Sequence, residues 1–299
     1  MLTALDHVIL VARDLERATA DYSALLGLAP SWTGDHPGLG TADSIFRLGN
    51  TSLEILAPAD SGPVADLLRG WLDLHGEGLF GLAFATGDIE ACRATLAERG
   101  LAPGDVVTEY GRDLGTGAET HWRRLFLPTD RTRGVVMFPI QHDSPPETLP
   151  LAAPTHGEAA AAFALDHVVL QTNSGDAAKE LLGDHLGLRL ALDRDFPDWG
   201  VRLMFFRVGG VTVEVAAALM GIDIEAALPA AKADAGEDRL YGMSWRVRSV
   251  EAARQRLASI GVDVSEVRRG RRPGTRVFTV RSGTCGVPTL MIEVEDGAR

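Results

Sequence analysis

Leu5-Asp6-His7-Val8 returns 160 positions later as Leu165-Asp166-His167-Val168, and the same offset then runs without a gap for about fifty residues. It carries Leu26-Gly27-Leu28 onto Leu186-Gly187-Leu188, Pro37 onto Pro197, Phe46-Arg47 onto Phe206-Arg207 and Glu54 onto Glu214. Self-similarity at a fixed offset marks a duplicated architecture. Later offsets differ slightly. A shift of 161 sets Leu79-Phe80-Gly81 on Leu240-Tyr241-Gly242, and a shift of 152 sets Arg124, Phe126, Gly134 and Ile140 on Arg276, Phe278, Gly286 and Ile292. Within the first copy, His7 to Glu16 lines up with Gly81 to Glu90. Each copy is therefore a tandem of two modules, and four modules fill the chain.

Each module reads as strand, helix, then several strands. Val8-Ile9-Leu10-Val11 is an apolar run of strand length. Asp14 is placed to cap a helix over Leu15–Leu26 that Gly27 ends. A Gly- and Pro-rich loop, 34–40, leads to Ser44-Ile45-Phe46-Arg47-Leu48, and the Gly49-Asn50 turn returns the chain through Ser52-Leu53-Glu54-Ile55-Leu56. The second module repeats this with Leu82–Ala85, a helix from Asp88 to Arg99, and strands near Trp122–Leu127 and Val135–Ile140. The expected class is α+β, built of four βαβββ modules paired into two barrel-like domains at 1–142 and 163–299. The proline-rich stretch 143–162 is read as a linker.

In both copies a His near the start of the first strand persists together with a Glu in a later strand, the combination a divalent metal site needs. An unpaired buried carboxylate costs several kcal/mol, so Glu54 and Glu214 require a cation, a hydrogen bond or solvent. An ion pair from Arg47 to Glu54, or from Arg207 to Glu214, is the structural alternative. Asp6 and Asp166 alternate away from the neighbouring His and read as caps.

The chain has 299 residues, 45% hydrophobic and 23% charged, enough for a real core. Its net charge of −12 excludes nucleic acid and anionic membrane as partners. The expected partner is a small-molecule substrate or ligand, with a homodimer left open. No apolar run approaches a membrane span, and no signal peptide is read in Met1-Leu2-Thr3-Ala4. Two cysteines without metal spacing, Cys92 and Cys285, suit a reducing cytoplasm. The Gly-rich Tyr110–Thr120 follows no strand-to-helix junction, which argues against a phosphate loop. Arg268–Arg272 reads as an exposed turn.

The run His36-Pro37-Gly38-Leu39-Gly40-Thr41-Ala42, the strand Leu53-Glu54-Ile55 and Phe80-Gly81-Leu82-Ala83 resemble the glyoxalase-like branch of the vicinal oxygen chelate superfamily. That superfamily includes glyoxalase I, extradiol dioxygenases, methylmalonyl-CoA epimerase and the bleomycin- and fosfomycin-resistance proteins. The resemblance covers nearly the whole chain outside the linker. It implies metal ligands on the first and last strands of each module: His7, Glu54, Gly81 and Gln141 in copy one; His167, Glu214, Gly242 and Glu293 in copy two. Glycine replaces the second His in both copies, and Gln141 replaces the last carboxylate in the first. Copy two, with His167, Glu214 and Glu293, is expected to bind a divalent ion more tightly. His142 points opposite to Gln141 unless the strand bulges. His36, Arg112, His121, Trp122 and Arg123 are expected to rim the cavity of copy one and bind substrate.

Two functions follow. One is a metal-dependent lyase or isomerase of the glyoxalase type, with Fe, Mn, Ni or Zn polarising two neighbouring substrate oxygens and Glu54 or Glu293 as ligand or base. An extradiol dioxygenase fits less well, because the second His is missing. The other is a metal-free protein that binds a small molecule, as the drug-resistance relatives do.

Overall fold

Barrel closure begins with β1 (Leu2–Val11), whose Val8 and Leu10 face a helical layer while His7 and Ile9 face inward. The computed structural model describes residues 1–219 and 237–295. Helix α1 (Leu15–Leu26) starts where the Asp14 carboxylate accepts the Arg17 amide, and ends where Gly27 takes φ +70°. Strands β2 (Trp32–His36), β3 (Thr41–Arg47) and β4 (Ser52–Pro58) complete the first module. Most of β2 and the start of β3 lie in or beside the stretch read as a loop. Glycines 34, 38 and 40 mimic a loop signal, yet β2 is the strand that joins the modules.

Helix α2 (Pro63–His75), for which the sequence reading made no provision, packs Leu68 and Leu72 against the barrel interior. The second module follows as β5 (Gly78–Thr86), α3 (Ile89–Glu98), β6 (Val107–Asp113), β7 (Glu119–Arg124) and β8 (Val136–His142). The eight strands close in the order β1-β4-β3-β2-β6-β7-β8-β5. Module meets module twice, through antiparallel β1–β5 and through a short β2–β6 contact that pairs Gly34 with Asp113 and Asp35 with Arg112.

The rest of the chain repeats the pattern: β9 (Ala162–Thr172), α4 (Gly175–Lys179, running into a wide turn to His185), β10 (Arg189–Phe196), β11 (Val201–Val208), β12 (Val211–Ala218), β13 (Arg239–Val247), α5 (Val250–Ser259), β14 (Arg268–Arg269), β15 (Thr275–Val280) and β16 (Thr289–Val294). They form one sheet in the order β10-β11-β12-β9-β13-β16-β15-β14, open at both edges among the described residues. The two sheets share a core in which Leu10, Tyr22 and Phe84 belong to the same cluster as Val168, Trp245 and Phe278. Asn50, beyond β3, clips onto β9, accepting from the Leu165 amide at 3.0 Å and donating to its carbonyl at 2.8 Å. The stretch read as a linker lies against the barrel: the Ala152 amide donates to Arg47 and the Thr155 amide to Gly27. No helix among the described residues is long and apolar enough to cross a membrane.

Two expected ligands lie on the wrong side of the sheet. The Ile89 amide donates to Gln141 Oε1 at 2.8 Å, and the Val250 amide donates to Glu293 Oε2 at 2.9 Å. Each side chain thus satisfies an orphan donor at the start of its module's second helix. On β8 the cavity side belongs to Val136, Phe138 and Ile140, so Gln141 must face the helices. The same alternation sets Glu293 beside Met291, which belongs to the helix-side core. The equivalence of the two residues is real, but both act at helix starts.

Gln141→Ala and Glu293→Ala are therefore expected to lower unfolding free energy by about 0.5–2 kcal/mol each, the usual cost of a lost cap. Denaturant midpoints with unchanged slopes check this; wild-type stability in both variants would remove the capping role.

Candidate functional site

The first barrel encloses a cavity of about 850 Å³. Its wall is mainly apolar and aromatic, with Ile9, Trp32, Leu56, Phe80, Trp122, Phe126, Phe138 and Ile140 on it, and Val64 and Leu67 reaching in from α2. Strand alternation sorts the polar residues. On β7, Thr120, Trp122 and Arg124 face the cavity. Their neighbours His121 and Arg123 face out, the first stacked on Tyr110 and the second paired with Asp143. Arg112 also lies outside, bound to Asp35 at 2.6 Å across the β2–β6 closure. Of the five residues expected at the rim, His36 and Trp122 line the cavity, with ring centroids 5.7 Å apart; Arg112, His121 and Arg123 do not.

Three ligand-type side chains converge on the wall. His36 from β2, Asp43 from β3 and Glu54 from β4 each place a donor atom within 4.8 Å of the others. His36 Nδ1 is hydrogen-bonded to Thr41 Oγ1 at 2.9 Å, and Nε2 lies 3.9 Å from Asp43 Oδ2. Asp43 is 1% exposed, and its Oδ1 has no hydrogen-bond partner. Burial pushes the Asp43 carboxyl up to about 6; His36, the Trp32 indole and the Gly34 backbone pull the other way, while Glu54 adds to the rise.

His7 completes the group without facing it freely. Nδ1 is 2.8 Å from Asp6 Oδ1, and Nε2 is 3.1 Å from Glu54 Oε2. Burial alone would lower the His7 pKa, but the two carboxylates outweigh it and push it up to about 10. Glu54 responds in the opposite sense: burial would raise its pKa, and His7 with His36 and Arg124 brings it below the ordinary value. Asp6 is likewise held down by His142 and His7 against its own burial. Asp6 was expected to turn away from His7 as a cap. A register irregularity in β1 between Leu5 and His7 breaks the alternation and sets the carboxylate beside the ring. His142 lies on the cavity side of β8, 3.1 Å from Asp6. Arg47, the alternative partner for Glu54, instead donates to the carbonyls of Pro146 and Leu149.

Gly81 and Gly242 occupy matching positions opposite Ile9 and Val169. A Cβ there would stand 2.9 Å from the Val136 carbonyl oxygen and 2.7 Å from that of Pro288. Close approach of the neighbouring strand, more than a vacant ligand place, demands glycine.

Copy two, expected to hold the better metal site, assembles less. His167 Nδ1 is 2.9 Å from Asp166, and Nε2 is 3.8 Å from Glu214. Glu293 points to α5, and Arg246 is paired with Asp166. Among the described residues the one group of three converging ligand atoms is in the first barrel. Asp43, Trp32, Glu109 and Arg124 were missed by sequence reasoning. Asp43 was left outside the expected strand, although its spacing of two from Ile45, which pairs with Glu54, marks the cavity face.

Comparison with known proteins agrees with this architecture. Residues 5–164 match the family model described as a glyoxalase-like domain, and residues 166–279 match that of the glyoxalase/bleomycin resistance protein/dioxygenase superfamily. An ethylmalonyl-CoA/methylmalonyl-CoA epimerase of Cereibacter sphaeroides is 33% identical over 102 residues, covering 33% of this chain and 73% of that protein. Among solved structures, a mutant 4-hydroxymandelate synthase of Streptomyces coelicolor superposes with a TM-score of 0.64 at 15% identity, covering 100% of this chain and 94% of its own. The Mn(II)-bound glyoxalase of Novosphingobium aromaticivorans gives 0.59 at 15%, covering 98% and 82%. At these identities the two structures speak for the fold. With more than half of its length matched by the first model, the chain belongs to the glyoxalase/bleomycin resistance/dioxygenase (vicinal oxygen chelate) superfamily, with two glyoxalase-like domains.

Proposed function

We propose that the first barrel is the active site of a metal-dependent lyase or isomerase acting on a small oxygenated organic molecule. One observation carries this reading: a buried imidazole and two carboxylates converge within 4.8 Å, and one oxygen of the most buried, Asp43, has no partner. Such an orphan atom in an apolar wall costs about 1–3 kcal/mol or more unless a cation takes it up. The donor set fits a divalent ion. His36 Nδ1 is engaged by Thr41, which directs Nε2 toward Asp43, the arrangement in which an outer partner sets the ligating nitrogen. One nitrogen and carboxylate oxygens suit Mn, Fe, Ni or Zn. They depart from the two-imidazole, one-carboxylate set of ring-cleaving dioxygenases.

His36, Asp43 and Glu54 would hold the ion, which when bound supplies Lewis acidity toward two adjacent substrate oxygens and the negative charge that develops on them. His7 is a positioning residue. It donates from Nδ1 to Asp6 and from Nε2 to Glu54, so it fixes the Glu54 carboxylate and does not offer a lone pair. His7 Nε2 thereby keeps Glu54 in its charged form, as a ligand needs to be. Trp122 closes over His36 edge-on, and Phe80 and Phe138 exclude water from the apolar wall. One feature supports metal-free binding as the second reading: His7 already compensates Glu54, so that carboxylate alone does not require a metal.

Protein purified without chelator is expected to hold about one divalent ion per chain, with Asp43→Asn and Glu54→Gln each weakening Mn(II) affinity by at least about tenfold. His167→Ala and Glu293→Gln should leave the stoichiometry unchanged. Elemental analysis and Mn(II) titration by EPR read this; undiminished affinity in Asp43→Asn would discard the ligand set.

The metal-free protein makes a pH prediction. A histidine whose folded pKa is raised contributes stability that is complete below its unfolded value, about 6.5, and that is lost as pH rises through the folded one. The stability gap between wild type and His7→Gln should be full below about pH 6.5 and close as the pH climbs through about 10. Chemical denaturation across that range decides it. A gap that widens with pH would mean that His7 is neutral between its two carboxylates.

A further inference from the structure

Among the described residues, Arg47 and Arg124 are the arginines on the cavity wall, and both are committed to the protein. Arg47 donates to backbone carbonyls of the segment after β8. Arg124 grips Glu109 through two nitrogens, Nε to Oε2 and Nη2 to Oε1 at 2.7 Å. Trp122 Nε1 donates to the same carboxylate at 3.2 Å. The pair is about nine-tenths buried, with Arg124 10% and Glu109 12% exposed. The guanidinium lies 4.0 Å from the Phe126 ring centroid and 5.4 Å from that of Phe138, and its charge reaches Glu54. It is the guanidinium best placed to receive a substrate anion, and Glu109 occupies it.

We propose that Glu109 sets the charge selectivity of the barrel: by holding Arg124 it makes the cavity select an uncharged molecule with an aromatic or alicyclic body over one bearing a carboxylate or phosphate. The inference takes the cavity as the substrate site, as the proposed function does, but does not depend on a metal. An incoming anion would be stripped of water in a wall that already carries Asp6, Asp43, Glu54 and Glu109, where His7 is paired with Asp6 and Glu54, Arg124 with Glu109, and Arg47 is anchored through Nη1 to backbone carbonyls. A neutral ring system keeps the full gain of burying its surface against Trp32, Phe80, Trp122 and Phe138. The volume, about 850 Å³, is that of a site for a drug-sized body. Glu109 is therefore a specificity-determining residue, and Trp122 holds it in register.

The test uses the full chain, freed of metal, titrated calorimetrically with 2-acetylnaphthalene and 2-naphthoate, which share one ring system and differ in charge. Wild type should bind the ketone at least about tenfold more tightly than the carboxylate. Glu109→Gln, which keeps the side-chain shape and releases the guanidinium charge, should tighten 2-naphthoate by about tenfold and leave the ketone within about twofold. The double variant Glu109→Gln, Arg124→Gln should return to the wild-type preference, and if the single variant does not fold, the wild-type ratio and the double variant decide. Equal binding of both probes by wild type, a preference for the carboxylate, or a Glu109→Gln protein that folds but gains nothing would overturn the proposal. Because the titration is done without metal, absence of a metal site sinks the proposed function and leaves this result standing; loss of the probe preference does the reverse.

Discussion

Carboxylates placed inside an apolar barrel are the constraint around which this structure is arranged. Each must be compensated where it lies, because water is excluded and an unpaired charge there is costly. Glu109 is answered by Arg124 and Trp122, Glu54 by His7, and Asp6 by His7 and His142. Two of these compensations join strands that are distant in sequence, β1 with β4 and β1 with β8, while the Glu109 pair lies within the β6–β7 hairpin. Asp43 is the exception. The Trp32 indole and the Gly34 backbone favour its charge, but one oxygen remains unsatisfied, and burial pushes its pKa up accordingly. A chain that compensates three carboxylates fully and a fourth in part leaves one buried carboxylate oxygen, Asp43 Oδ1, which the proposed cation would satisfy.

The duplication was preserved in the backbone and abandoned in the site. Gln141 and Glu293 cap equivalent helices, and Gly81 and Gly242 admit equivalent carbonyls, so the scaffolding positions kept their roles. The first sheet closes through β2 and β6, where Asp35 and Arg112 form an ion pair across the seam. Among the described residues the second sheet stays open. Its edges are β10, with Arg189 and Arg194 beside Asp193 and Asp195, and β14, made of Arg268 and Arg269. Charged edge strands discourage a foreign strand from adding on.

Much of this was legible in the chain because duplication and hydrophobic period are local signals. The offset of 160 located two copies, the match of His7–Glu16 with Gly81–Glu90 divided a copy into two modules, and Asp14 with Gly27 bounded a helix that formed as read. What failed was parity. One irregularity in β1 turned Asp6 toward His7, and a register counted from the family pattern put Gln141 and Glu293 inside when β8 and β16 turn them outward. A residue's face depends on every bulge before it, and bulges have no reliable sequence signal. The second failure was the stretch from Gly34 to Gly40. Its glycines suggested a loop, so β2 was missed and Asp43, at the start of β3, was never counted as facing inward. Pairing of β2 with β6 is a contact across some 77 residues, which no local window sees.

The two modules of the barrel divide the work. His7, His36, Asp43 and Glu54 all come from β1 to β4, whereas β5 to β8 contribute Phe80, Trp122, Arg124, Phe138 and Ile140. The arrangement that the family resemblance implied, with ligands drawn from both modules, meets two physical obstacles here. A side chain at Gly81 would collide with the Val136 carbonyl, and at the end of β8 the cavity-facing His142 is taken up by Asp6. With His142 held by Asp6 and Glu109 by Arg124, the converging group of His36, Asp43 and Glu54 comes from the first module, through β2, β3 and β4. The ligand-type side chains stand on one wall and most of the aromatic ones on the other, and the two walls meet through the Trp122–His36 and Phe138–His7 ring contacts and the His142–Asp6 pair. Glu109 and Arg124 stand where the walls meet, since their pairing shapes the aromatic face while the guanidinium's field still reaches Glu54. On the proposed selectivity, changing that pair would alter both what enters the cavity and the charge felt at Glu54.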